Sequence, residues 1–192
     1  MSLYRDAFEA WEREPEAVLA ERVSAGRYVL CLARDAKGAP VGFYILEVNR
    51  DVDYVMFTYV GVSGAARGKG YGAVLVRDAV RRFREEIRAE WMLIEAGDRQ
   101  AVFYGRLGFK RLDLIYHAPR FEEEGAAPMH LLSMSADHDS DIIDGPRLAE
   151  MVRHNFVHGY RLDPADQRVR RQLALIGQRV RRVPWPPGED AC

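Results

Sequence analysis

The spacing of apolar positions changes along the chain, and each change marks an element. In the first 26 residues Leu3, Ala7, Phe8 and Trp11 share one helical face. Val18, Leu19 and Val23 continue the pattern after Pro15, so two short helices are predicted there. The period then shortens. Segments 27–34 (RYVLCLAR), 41–48 (VGFYILEV) and 53–62 (DYVMFTYVGV) are rich in strand formers, and the joins DAKGAP and NRD are turn chemistry. Three strands on short turns predict an antiparallel meander. A small, basic segment, 63–69 (SGAARGK), leads into a helix of about 18 residues that is apolar at Val74, Leu75, Val76, Ala79, Val80 and Phe83. Segment 91–95 (WMLIE) reads as a buried strand. Strand, helix and strand in that order imply a parallel pair. A helix over 98–107 stops at Gly108, and 109–117 and 129–136 read as two further strands.

From about residue 137 the character changes. The acidic, turn-forming stretch DHDSDIIDGP precedes two expected helices, 146–158 and 164–183, and PWPPGEDAC ends the chain. The expected organisation is a mixed α/β domain over 1–136, a helical extension over 137–183 packed on it, and a flexible tail over 184–192.

Composition narrows the function classes. The chain has 192 residues, 48% of them apolar and 30% charged, which is a globular composition. Its 28 basic residues nearly cancel 29 acidic ones, so the whole is not an electrostatic nucleic-acid or membrane binder. No apolar run approaches the roughly 18 residues of a membrane span, and the N-terminal residues do not read as a signal peptide. Cys31 and Cys192 are too few and too far apart in context for a disulfide framework. A reducing, cytoplasmic setting is expected.

The informative segment is Arg67-Gly68-Lys69-Gly70-Tyr71-Gly72, between a strand and a helix. Glycines let a ligand approach the backbone, the free N–H groups of the first helical turn point at an anion, and Arg67 and Lys69 add positive charge. Physically this is a phosphate or pyrophosphate cradle. The P-loop spacing fails, because Gly64 and Gly68 are one residue too close and Gly70 stands where a metal-binding hydroxyl belongs. The dinucleotide fingerprint fits literally as Gly68-x-Gly70-x-x-Ala73. Five residues separate it from the strand end, however, and the chain has one crossover unit where that fold needs several.

The third pattern, [RQ]-x-x-G-x-[GA], is met by Arg67, Gly70 and Gly72. With the meander, the strand end Val60-Gly61-Val62 and the later block Phe103-Tyr104-Gly105-Arg106-Leu107-Gly108-Phe109, the chain resembles the GCN5-related N-acetyltransferase (GNAT) superfamily over roughly residues 3–136. That resemblance implies a mostly antiparallel sheet with a central parallel pair that splays at a bulge, for which Gly61 is the suited residue. It implies acetyl-CoA as co-substrate, with Arg67, Gly68, Lys69, Gly70, Tyr71 and Gly72 at its pyrophosphate. Val60 and Val62 would offer their backbone to the pantetheine arm. Tyr104 would be the general acid, since a phenol stays protonated at neutral pH yet can give up its proton.

The base is open. Histone-type members carry a glutamate eleven residues before the motif arginine, and here that position is Met56. Glu95, at a strand end facing the expected splay, is the substitute, with Asp53 and Glu47 as rivals acting through water. The expected activity is acetyl transfer to a primary amine of an unidentified acceptor, and the alternative is a silent acyl-CoA-binding sensor. No metal is expected: His154 and His158 are spaced i, i+4 but lack the glutamate of H-E-x-x-H. Six acids in the first 26 residues hint at a cationic acceptor, with pairing of three of them to Arg5, Arg13 and Arg22 as the alternative.

Residues 146–183 hold nine Arg against three acids, and 121–145 hold seven acids and no Lys or Arg. A nucleic-acid arm is one reading, but no aromatics are interleaved among 168–182 for stacking. Pairing within the chain, with the apolar stripes packed on the catalytic domain or across a dimer, is the expected arrangement.

Overall fold

The computed structural model describes residues 2–136 and 140–187. Strands β1 (Tyr28–Arg34), β2 (Pro40–Asn49) and β3 (Tyr54–Val62) form the antiparallel meander. β4 (Trp91–Ala96) then lies parallel to β3, as the crossover helix α3 (Tyr71–Arg82) requires. The remaining strands are β5 (Lys110–Leu112), β6 (Tyr116–Pro119), β7 (Ala126–Ser135), β8 (Ile142–Asp144) and β9 (Arg179–Val183). They complete the sheet order β1-β2-β3-β4-β7-β5-β9-β8, with β6 paired to β7. The fold is thus mixed α/β, mostly antiparallel, around one parallel pair.

Period-2 alternation sorts the strand residues onto two faces. Tyr44, Leu46, Val55, Phe57, Met92 and Ile94 pack under α3 and α4 (Asp98–Gly105). Tyr54, Met56, Trp91 and Leu93 pack under α5 (Gly145–His154) and α6 (Gln167–Ala174), through Leu148, Met151, Val152 and Val169. Helices α1 (Ser2–Ala7) and α2 (Glu16–Ser24) cover Phe43, Ile45 and Tyr59 with Tyr4 and Leu19.

The C-terminal region departs from the expected two helices. The second helix stops at Ala174, and Arg179–Val183 is strand β9, paired with β5 on one side and β8 on the other. The reason is local. Gly177 interrupts the helical run, and in RVRRV the buried Val180 and Arg182 alternate with Arg179 and Arg181. β8 lies inside the stretch read as an acidic turn. The expected strand 109–117 is likewise two short strands, β5 and β6, which pair with different parts of β7.

Residues 184–187 pack rather than hang free. Trp185 joins the core beneath α4, with the Arg111 guanidinium 4.8 Å from its ring centre. A Cβ on Gly105 would lie 1.6 Å from the Trp185 carbonyl oxygen, so glycine is what lets this segment cross α4. The rest of the expected flexible tail, 188–192 with Cys192, lies outside the described residues, as do residues 137–139 of the acidic stretch.

Candidate active site

The parallel pairing of β3 and β4 is brief. Tyr54, Val55 and Met56 match Trp91, Met92 and Leu93, and beyond that register the two strands part. The cause is a bulge in β3: Ile45 of β2 opposes Tyr59 and Leu46 opposes Phe57, so Thr58 is the extra residue. This corrects the expectation for Gly61, which is paired in register with Phe43. Glycine is needed there because a Cβ would lie 2.7 Å from the Phe43 ring and 3.0 Å from Ala7 Cβ. The bulge also flips the face on which the rest of β3 presents its side chains. Tyr59 joins the α1–α2 side, and Val60 and Val62 turn toward α3.

The chain leaves β3 through Ser63 and a short 3₁₀ turn, Gly64–Ala66, into the exposed loop Arg67–Gly70. Gly68 and Gly70 have φ of +75° and +84°, left-handed values that side chains resist, and nothing lies within 4 Å of where their Cβ atoms would sit. Gly70 is the N-cap of α3 and supplies no capping side chain. The N–H groups of Tyr71, Gly72 and Ala73 therefore have no intrahelical acceptor. Arg67 is tethered by its guanidinium to the Val62 carbonyl at 3.4 Å and lies exposed beside the loop with Lys69. The arrangement is an open, positive helix start at the end of a splayed strand.

Tyr104 and Glu95 sit on opposite faces of the sheet and meet at the gap. Both line one cleft with Phe57, Thr58, Val60, Ala96 and Gln100. Tyr104 is 5% exposed and packs against Phe57, Phe103 and Phe109. Burial pushes its phenol up from the ordinary tyrosine range, which keeps it protonated. Glu95 points to the other face, where its carboxylate accepts hydrogen bonds from Tyr116 at 2.5 Å, Tyr160 at 2.5 Å and Asn155 Nδ2 at 3.0 Å. Burial raises its pKa, and the three donors pull in the opposite direction without cancelling it.

A second cavity opens on the Glu95 side, walled by α1–α2, the bulged strand and the segment after α5. Glu47 lines it, and so does Met56, in place of the histone-type glutamate. Asp53 is exposed at the far end of β3 and lines neither cavity. Nearby, Glu14 forms a 2.8 Å ion pair with Arg22, whose guanidinium also bonds the Tyr28 hydroxyl at 2.6 Å and the His158 carbonyl. Burial raises the Glu14 carboxyl to about 7 despite that arginine.

Asn155 and Tyr160 escaped the sequence reading, whereas Arg22 pairs with one of the N-terminal acids as the alternative had it. Asn155 stands between the two histidines that the i, i+4 spacing drew attention to. Nothing in its spacing points 60 residues back to Glu95. His154 instead meets the Tyr54 hydroxyl at 3.1 Å. The Arg-rich region is tied inward only in part: Arg168 bonds Asp166 at 2.8 Å and the Glu123 carbonyl at 3.1 Å, and Arg182 is 4% exposed beneath the Trp91 ring, whereas Arg153, Arg161, Arg170, Arg171, Arg179 and Arg181 are exposed.

A splayed parallel pair, a bulged meander strand and a glycine-rich helix start define the acyltransferase fold class. The description "Acetyltransferase (GNAT) family" matches residues 1–109, more than half of the chain. The chain belongs to that family and is by that membership an acetyltransferase.

Solved structures agree on the fold. A GNAT-family acetyltransferase from Bacteroides thetaiotaomicron superposes with a TM-score of 0.64 at 20% identity, covering 84% of this chain and 90% of its own. The spermidine/spermine N-acetyltransferase SpeG of Vibrio cholerae, in complex with manganese ions, gives 0.55 at 16% identity, covering 70% and 84%. A phosphinothricin acetyltransferase of Sinorhizobium meliloti, in complex with AcCoA, gives 0.52 at 24% identity, covering 64% and 70%. No curated protein matches the chain significantly. Among the described residues no helix is long and apolar enough to cross a membrane.

Proposed function

We propose that this protein transfers an acetyl group directly from acetyl-CoA to a primary amine. One observation carries the reading: a phenol, Tyr104, and a carboxylate, Glu95, line the same cleft where β3 and β4 part. Acetyl-CoA supplies the activated thioester, and the residues present suit it. The loop Arg67–Gly70 and the free amides of Tyr71, Gly72 and Ala73 match a pyrophosphate. The β3 edge at Val60 and Val62, unpaired on the β4 side, offers backbone groups to the amides of an extended arm.

In this reading the neutral amine nitrogen attacks the thioester carbonyl, and the carbon–sulfur bond breaks. Glu95 takes the amine proton, directly or through one water, and the Tyr104 hydroxyl gives its proton to the departing thiolate. No hydrogen bond occupies that hydroxyl among the described residues, so it is available to the sulfur. Residues 145–160 serve the acceptor side, because Asn155 and Tyr160 hold Glu95 in place. The fold shared with the spermidine/spermine N-acetyltransferase of V. cholerae is in keeping with an amine acceptor. A reducing, cytoplasmic setting belongs to the same reading, in keeping with the free thiol of Cys31.

A silent acyl-CoA-binding protein is the second reading. It draws on the three donors that already occupy most of the roughly four lone-pair sites of Glu95. Release of CoA thiol over a panel of amines decides between them. Wild type is expected to turn over, and Tyr104→Phe to bind acetyl-CoA normally while losing about 10- to 100-fold in kcat. Binding without turnover on any amine would favour the sensor, and no binding at all would reject both.

A further inference from the structure

The cavity beside Glu95 holds a carboxylate that the transfer step does not use. Glu47, on β2, is 6% exposed, lines the cavity, and has no hydrogen bond or ion pair among the described residues. A buried carboxylate without a partner is costly, so such a group calls for a counter-charge or a proton. The buried arginine nearby, Arg22, is already committed to Glu14, Tyr28 and the carbonyls of His158 and Gly159. Two buried carboxylates, Glu14 and Glu47, thus share one buried arginine, and the exposed Arg27 adds positive charge on the Glu47 side. Burial raises the pKa of Glu47 and of Glu14, and at Glu47 the charges of Arg22 and Arg27 pull the other way without cancelling it.

The rest of the wall offers ring faces and few donors. The Tyr28 hydroxyl takes its hydrogen bond from Arg22, and that of Tyr59 serves the backbone of Glu12 and Glu14. The Tyr160 hydroxyl and the Asn155 amide both go to Glu95, and the Thr58 hydroxyl bonds the Met56 carbonyl. Trp11 and Phe121 complete the wall. The Trp11 and Tyr28 rings already meet Arg120 and Arg22, at 5.1 and 5.3 Å from their centres. Glu47, however, has no direct partner among the described residues, and ring faces beside such a carboxylate suit an alkyl cation better than a carboxylate or phosphate. Glu95 lies at the junction with the cleft of Tyr104, whereas Glu47 lines only the second cavity.

We propose that the acceptor is an amine carrying a second positive charge on a short apolar spacer: its reacting nitrogen lies at Glu95, and its distal cation is held by Glu47 against the aromatic wall. The proposal rests on the amine-transfer reading and adds the substrate class. The specificity it predicts is a distinction among chains of equal length. A diamine is accepted best, the monoamine lacking the second charge less well, and the amino acid with a carboxylate in its place worst.

The test compares 1,4-diaminobutane, butylamine and 4-aminobutanoate as acceptors for wild type and Glu47→Gln. A second readout is calorimetric binding of 1,4-diaminobutane to the protein without acetyl-CoA. For wild type, kcat/KM is expected in that order. Glu47→Gln is expected to cost the diamine about 10- to 100-fold in kcat/KM, mainly through KM, and to cost butylamine far less. It should also weaken calorimetric binding of the diamine.

Equal losses on both amines, an unchanged diamine preference, or 4-aminobutanoate as the best acceptor would overturn the proposal. A wild type that fails to bind acetyl-CoA would reject the transfer reading instead. In that case the calorimetric comparison still decides the role of Glu47, and equal diamine binding by both proteins overturns it.

Discussion

Tyr160 donates its hydroxyl to Glu95 across 65 residues of sequence, at 2.5 Å. The contact joins the segment after α5 to the strand that edges the cleft. The segment beyond residue 140 thus holds the carboxylate at the mouth of the site. Its partner donor, Asn155, sits on the same segment and shares the same carboxylate oxygen with Tyr116.

Removing that donor changes the acidity of Glu95. Hydrogen bonds to a carboxylate favour its charged form, so Tyr160→Phe raises the Glu95 pKa further above the ordinary value. If Glu95 is the base, the acidic limb of the kcat/KM profile moves to higher pH. A purely structural loss would lower the whole profile without moving the limb. The stability cost is expected at about 1–3 kcal/mol, read from denaturant unfolding.

Stability should fall as the pH rises through the buried carboxylate cluster. The Glu14 carboxyl titrates at about 7 in the folded protein against 4.5 when unperturbed. Between those values the folded state holds more protons than the unfolded state, so the stabilisation is complete below 4.5 and lost by about 7. Glu14 contributes roughly 2–3 kcal/mol to that slope, and Glu47, also raised, adds to it. Thermal unfolding from pH 4.5 to 8 should show the decline, and Glu47→Gln should flatten it. A wild-type Tm that rises across this window contradicts the assignment.

The glycine loop is predicted to act through its backbone. Gly70 has φ of +84° with open space around its missing Cβ. Gly70→Ala therefore meets no clash and costs only the left-handed strain, about 1–2 kcal/mol. Relaxing that strain would re-aim the first amides of α3. The acetyl-CoA Kd is expected to rise about tenfold or more, measured by calorimetry, while KM for the amine changes little.

The C-terminal segment should not be removable. Arg182 is 4% exposed, bonds the Ser133 hydroxyl at 2.9 Å and the Ser140 carbonyl, and stacks 4.9 Å from the Trp91 ring centre. Arg182→Ala leaves those acceptors buried and is expected to cost about 2–4 kcal/mol. Truncation after residue 140 would uncover Tyr54, Trp91 and Leu93 and yield an aggregating protein. A truncated chain with wild-type Tm and acetyl-CoA affinity would show that the segment is dispensable.

Local pattern determined much of this protein. Period-2 runs placed β1–β4, and the strand–loop–helix–strand order required the parallel pair. The positive-φ demand of the cradle was written in Gly68 and Gly70. Such features depend on neighbours within a few residues, which is the range over which a sequence speaks directly. The resemblance carried by Arg67–Gly72 and the Phe103–Phe109 block reached the family for the same reason.

Tertiary structure decided the rest. Thr58, not Gly61, became the bulge, because pairing with β2 sets the register and Gly61 is needed against Phe43. RVRRV became a strand because β5 and β8 each offered an edge, whereas its arginines read equally well on a helix face. A place at the strand end singled out Glu95 over Asp53 and Glu47, but nothing in the sequence showed what holds it. What distinguishes it, three donors from residues 116, 155 and 160, exists only once the chain has folded back on itself. The same folding buries Glu47 beside an arginine already in use. Burial and partnership are properties of the packed molecule, so the cradle was legible in the residues while the acceptor side was decided by the fold.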